Sequence, residues 1–127
     1  MKYLVDSDWV VDYLKGRSNA LTLLDDLLHE GLAISIITFG EVYEGIYYSR
    51  DPKHNEAIFR SFLRGVNILG INLHIARRFA IIRGELRGKG QLIGQPDILI
   101  AATAICHDLI LLTRNMKDYQ RIPDLKL

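Results

Sequence analysis

Short apolar runs alternate along this chain with longer stretches in which apolar residues recur every three or four positions. Tyr3-Leu4-Val5, Ala33-Ile34-Ser35-Ile36, Val66-Asn67-Ile68-Leu69 and Leu109-Ile110-Leu111-Leu112 are the short runs. They predict buried strands over residues 2–5, 32–36, 66–69 and 109–113. Trp9, Val10, Tyr13 and Leu14 predict a helix that Gly16 stops. Ser18 reads as the cap of a second helix, with Leu21, Leu24 and Leu28 on one face and Gly31 after it. Thr38 opens a third helix carrying Phe39, Val42, Tyr43, Ile46 and Tyr47 in one stripe. Asp51-Pro52 breaks it and starts a fourth, in which Ile58, Phe59, Phe62 and Leu63 face the core. A long helix holds Ile75, Phe79, Ile82 and Leu86, a loop spans residues 88–94, and Pro96 starts a helix through Cys106. Leu125-Lys126-Leu127 offers a fifth strand. Strands separated by helices imply parallel pairing, so the expected fold is a three-layer α/β/α domain over residues 1–127, its central sheet mostly parallel with four or five strands.

Four acids lie at the junctions of these elements: Asp6, Glu41, Asp97 and Asp118. In an open parallel sheet the strand C-termini converge on one edge, where ligands bind. Four acids distant in sequence can therefore meet in one pocket, which suits a hard divalent cation with its preference for oxygen ligands. Each acid also has a structural explanation. Asp6 is a good N-cap, Thr38-Phe39-Gly40-Glu41 is a capping-box pattern, and Asp97 follows a proline at a helix start. Asn115-Met116-Lys117-Asp118 reads as another cap. Caps work equally well with Ser, Thr or Asn, however, so capping alone does not demand an acid at every junction. Gly94-Gln95 before Asp97 is expected to leave space for a ligand, and Ala101, Ala102 and Ala104 to let the following helix pack closely.

Charge changes the picture in one respect. Net charge is only +1, but residues 1–31 carry −3 and residues 53–89 carry +6. A basic middle beside an acidic pocket steers a polyanion toward a metal; the alternative is a solvated helix face on which arginines cluster. Composition adds bounds. The chain is 49% apolar and 24% charged, as in a soluble globular protein, and no apolar run reaches the ~18 residues of a membrane span. No signal-peptide pattern opens the chain, and one cysteine makes no internal disulfide, so the cytoplasm is the expected location. Cys106 is expected to be an inert buried thiol. His29, His54, His74 and His107 have no metal-binding spacing.

The order and spacing of these motifs resemble a known family. Asp6 after the first strand, Ile36-Ile37-Thr38-Phe39-Gly40-Glu41-Val42, Gly94-Gln95-Pro96-Asp97 with its apolar helix, and Thr113-Arg114-Asn115-Met116-Lys117-Asp118-Tyr119 together resemble the PIN-domain ribonucleases. The short length and the ending Arg121-Ile122-Pro123-Asp124-Leu125 resemble the VapC-type toxins of toxin–antitoxin modules. The resemblance implies a PIN-like domain and an endoribonuclease that hydrolyses RNA phosphodiester bonds with Mg²⁺ or Mn²⁺. Asp6, Glu41, Asp97 and Asp118 are then the metal-binding and catalytic quartet, with Asn115 and Thr38 accessory. Arg83, Arg87, Lys89 and Arg114 are the implied RNA contacts. Asp8, where relatives more often carry Ser or Asn, is expected to face solvent. The resemblance further implies a cognate VapB-like antitoxin seated in a groove, and a homodimer. Phe39, Tyr43, Tyr47 and Tyr48 supply either that dimer face or core packing.

Two other readings compete. Asp6-Ser7-Asp8 superficially matches the Asp-x-Asp pair of a haloacid-dehalogenase-like phosphatase, without a convincingly placed lysine. A non-catalytic RNA-binding module of the same fold is the other.

Overall fold

The computed structural model describes residues 1–127. The strands are β1 (Tyr3–Val5), β2 (Leu32–Ser35), β3 (Val66–Leu69) and β4 (Ile110–Leu112), each within a residue or so of the run that predicts it. The helices are α1 (Ser7–Leu14), α2 (Ser18–Leu27), α3 (Ile36–Tyr47), α4 (Pro52–Leu63), α5 (Leu73–Gly88), α6 (Gln95–Cys106) and α7 (Met116–Tyr119). All pairings are parallel, in the order β3-β2-β1-β4. The chain builds outward from β1 to β3, then returns to place β4 on the other side of β1. The strand order therefore reverses between β1 and β4, and ligands of open α/β sheets bind at such a reversal.

Alternation along the strands divides the interior in two. Leu4, Ala33 and Leu111 face one side and pack with Ile75, Ile82 and Leu86 of α5 and Ile98 and Ala101 of α6. Val5, Leu32 and Ile34 face the other and pack with Val10, Leu24, Val42, Phe59 and Phe62. A two-residue period on strands covered on both faces produces this division. β3 lies at the sheet edge, and its Asn67 and Ile68 are exposed. No helix is long and apolar enough to cross a membrane.

Gly31 fixes the entry to β2. Its φ is +94°, and a Cβ there would stand 2.8 Å from the Met1 Cα. Its carbonyl accepts from the amides of Lys2 and Tyr3, so only a glycine fits this close approach.

Several expectations are corrected. α3 starts two residues before Thr38, because Ser35 ends β2 in extended conformation and its hydroxyl accepts from the Ile37 amide at 3.0 Å. Thr38 therefore sits inside the first turn, and the Thr38–Glu41 capping box does not form. Ser18 is likewise the first helical residue of α2, preceded by Arg17, and no side chain caps that helix. The fifth strand reduces to one parallel bridge between Ile110 and Lys126, since Asp124 turns the chain at φ +68° just before it. Cys106 is exposed at the end of α6. The aromatic stripe of α3 divides: Phe39 and Tyr43 pack on Phe59, while Tyr47 and Tyr48 are 73% and 80% exposed.

Candidate active site

Asp6 stands where β1 meets α1, at the reversal of strand order, and is only 5% exposed. Its two oxygens have different partners. Oδ1 accepts from the Ser7 amide at 2.8 Å, and Oδ2 accepts from the Thr113 hydroxyl at 2.7 Å across the junction with β4. Burial pushes its carboxyl up to about 6; the charges of Asp8 and Asp97 add to this, and the two hydrogen bonds oppose it.

Asp97 lies in the first turn of α6, which Gly94 and Pro96 start. The phenol of Tyr119 donates to its Oδ1 at 3.3 Å. Burial, then the charges of Asp118 and Asp8, raise the Asp97 carboxyl. A Cβ on Gly94 would lie 4.0 Å from Asp97 Oδ2, an ordinary contact, so space around the acid does not require that glycine. Ala101, Ala102 and Ala104 are fully buried, as close packing of α6 requires.

Glu41 stands on the exposed side of α3. Partial burial and the charges of Asp6 and Asp97 nevertheless raise its carboxyl, with Ser7 opposing. Asp118, on α7, accepts from the Asn115 side-chain amide at 3.1 Å. Asn115 thus braces Asp118 instead of capping α7 with its side chain. The Asn115 backbone amide in turn donates to the Thr113 hydroxyl at 3.0 Å. One chain of hydrogen bonds runs from Asp6 through Thr113 and Asn115 to Asp118.

Asp97 raises both Asp6 and Glu41, and Asp118 raises Asp97, but no three carboxylate, imidazole or thiol side chains converge into a ready-made metal cage. An open set of this kind fits a hard cation that keeps most of its waters and takes one or two carboxylates. The raised carboxyls have the same meaning: the site holds more negative charge than its burial favours, which a divalent cation relieves. The donors are all oxygens, the preference of Mg²⁺ and Mn²⁺.

The other predicted residues fall in varied places. Thr38 is fully buried, and its hydroxyl has no hydrogen-bond partner. Asp8 does not simply face solvent: its carboxylate accepts from the amides of Trp9 at 2.7 Å and Arg114 at 2.9 Å. Both its oxygens are thus engaged by backbone amides of α1 and of the loop after β4. Arg83 is half-buried with its Nε unpartnered, whereas Arg87 and Lys89 are exposed. Arg121 reaches the Gln91 carbonyl at 3.4 Å and Asp118 at 3.8 Å, so the loop after α5 lies beside α7. Arg114 pairs with Asp12 and stacks on Trp9. All four histidines are exposed.

A family model described as the PIN domain matches residues 3–125. The chain belongs to the PIN-domain family. This PIN domain is 33% identical over 122 residues to a protein named Ribonuclease VapC2 from Haemophilus influenzae, covering 96% of this chain and 92% of that one. It is 27% identical over 127 residues to the tRNA(fMet)-specific endonuclease VapC of Salmonella typhimurium, covering 100% and 96%. Among solved structures it superposes with a TM-score of 0.92, at 30% identity, on a chain of VapBC2 from Rickettsia felis bound to a promoter DNA fragment, covering 100% of this chain and 97% of that one.

Sequence reasoning missed Thr113 and Tyr119 as partners of the acids. Thr113 had a signal, a polar residue directly after four apolar ones at a strand end. Tyr119 had none, because an aromatic beside a helix is ordinarily core.

Proposed function

We propose that this PIN domain is a metal-dependent endoribonuclease toxin that hydrolyses RNA phosphodiester bonds and is neutralised by a cognate VapB-like antitoxin. The observation that carries the reading is the full-length likeness to proteins named as ribonucleases; Asp6 at the reversal of strand order, within reach of the charge of Asp97, supports it. Asp6 and Asp97 are the residues we assign to holding Mg²⁺ or Mn²⁺, with Glu41 and Asp118 acting directly or through water. Held by these residues, Mg²⁺ or Mn²⁺ would supply an activated water as nucleophile and would offset charge on the transferring phosphoryl group. The chain's own contribution is orientation. Thr113 and the Ser7 amide fix the plane of the Asp6 carboxylate, Tyr119 fixes one oxygen of Asp97, and Asn115 fixes Asp118. Exposed Arg87 and Lys89, near the loop that adjoins α7, attract the RNA backbone.

An apolar groove of about 330 Å³ between α1, α3 and α4 supports the antitoxin part of the reading. Val11, Leu14, Val42 and Ile46 line it, and Glu41 stands at its rim. An antitoxin segment with apolar side chains fills it, and a basic residue of that segment meets the acids.

The test is incubation of the purified chain and Asp97→Asn with total cellular RNA in Mg²⁺, Mn²⁺ or EDTA. Discrete fragments from the wild type alone, abolished by EDTA, are expected. Fragments that persist with Asp97→Asn, or in EDTA, contradict the proposal.

A further inference from the structure

We infer that Arg114 is a positioning residue, a clamp that holds the loop between β4 and α7 against α1 so that Thr113 and Asn115 reach the acids. This rests on the ribonuclease reading above. Arg114 is also the residue that sequence resemblance offers as an RNA contact, and its geometry points elsewhere. Its Nη1 pairs with the Asp12 carboxylate, whose side chain is only 15% exposed. Its guanidinium carbon stands 4.0 Å from the ring centre of Trp9, a cation–π stack. Its backbone amide donates to Asp8 at 2.9 Å. Asp8, Trp9 and Asp12 are successive points on α1, so one residue is fastened to that helix by backbone, face and charge.

The neighbours of Arg114 show what this fastening does. The preceding residue, Thr113, gives its hydroxyl to Asp6, and the following one, Asn115, gives its amide to Asp118. Both bonds need the loop in one place, and neither crosses to α1 by itself except through Asp6. A planar guanidinium that stacks and pairs at once has little freedom left to reach a phosphate. Arg17 also pairs with Asp12, through Nε at 3.3 Å, but it makes no hydrogen bond to the loop and the stack on Trp9 belongs to Arg114. It supplies the natural control.

The experiment compares wild type, Arg114→Ala, Arg114→Lys, Asp12→Asn and Arg17→Ala. Mn²⁺ binding is followed by calorimetry. RNA binding is followed in EDTA, where cutting cannot interfere, over a range of salt. Trp9 is the only tryptophan, so its emission without metal reports the stack directly. A clamp predicts a changed Trp9 emission and a Mn²⁺ affinity about 10- to 100-fold weaker in Arg114→Ala, as for residues that orient metal ligands. Asp12→Asn shifts the same way, Arg114→Lys recovers part of the affinity, and Arg17→Ala matches wild type. RNA affinity in EDTA and its salt slope stay unchanged. Circular dichroism and thermal melts check folding; if Arg114→Ala unfolds, Arg114→Lys and Asp12→Asn decide the matter. Unchanged Mn²⁺ binding, with weaker RNA binding and a salt slope lower by about one, makes Arg114 a phosphate contact and overturns the clamp. A wild type that binds no Mn²⁺ and cuts no RNA overturns the ribonuclease reading itself, and the clamp with it.

Discussion

A carboxylate buried at a strand end lowers stability unless something positive joins it. Asp6 is such a group, pushed up to about 6 by burial and then by Asp8 and Asp97. Its folded value lies above the ordinary 3.8, so the native state binds the proton more tightly than the unfolded chain does. Stability from this group is complete below about pH 4 and is lost as pH rises through about 6. The loss amounts to roughly 3 kcal/mol at most. Asp97 and Glu41 are shifted in the same direction. Asp6→Asn keeps the size and removes the charge. Without divalent ions at pH 7.5 it is expected to melt higher than wild type, with a flatter dependence between pH 4 and 6, while RNA cutting is lost. A variant that melts lower and keeps the wild-type pH slope contradicts a buried, like-charged Asp6.

At the scale of elements, the start of α3 separates what local sequence tells from what tertiary structure decides. Ser35 and Thr38 both offer a capping hydroxyl, and Thr38-x-x-Glu41 has the better local pattern. Ser35 caps because it pairs with Leu69 across the β2–β3 ladder, which holds its backbone extended. That pairing cannot be read from neighbours along the chain. Ser35→Ala is expected to lower stability by about 1 kcal/mol in denaturant unfolding, the usual loss for a cap. Thr38→Val removes a buried hydroxyl that has no partner, and is expected to be neutral or slightly stabilising. The reverse pattern, with Thr38→Val the costlier change, would restore Thr38 as the cap. The strands themselves were legible because buried parallel strands are short, apolar and bounded by polar turns. Asp51 and Pro52 announced α4 equally plainly, and Asp51 does accept from the His54 amide.

Over the whole molecule, topology assembles the site. Parallel β1 and β4 bring position 6 beside position 113, and α6 and α7 carry Asp97 and Asp118 to the same edge. Placing the acids at junctions could be inferred from sequence, since junction acids in a parallel sheet share an edge. Their partners could not. The bonds Thr113–Asp6, Tyr119–Asp97 and Arg114–Asp12 join residues 107, 22 and 102 positions apart. No periodicity links such pairs, and Arg114 in isolation reads as a free cation. The sequence suggests one pocket of four acids, whereas no three of them converge as a ready-made metal cage.

The central claim is that these acids hydrolyse RNA with an ion-activated water. The chemistry of the cut ends tests it most directly. Mass spectrometry of fragments made by the wild type in Mg²⁺ is predicted to find linear phosphate ends, with none formed in EDTA. Ends bearing 2′,3′-cyclic phosphate, formed equally well in EDTA, would mean attack by the RNA's own 2′-hydroxyl and contradict the account.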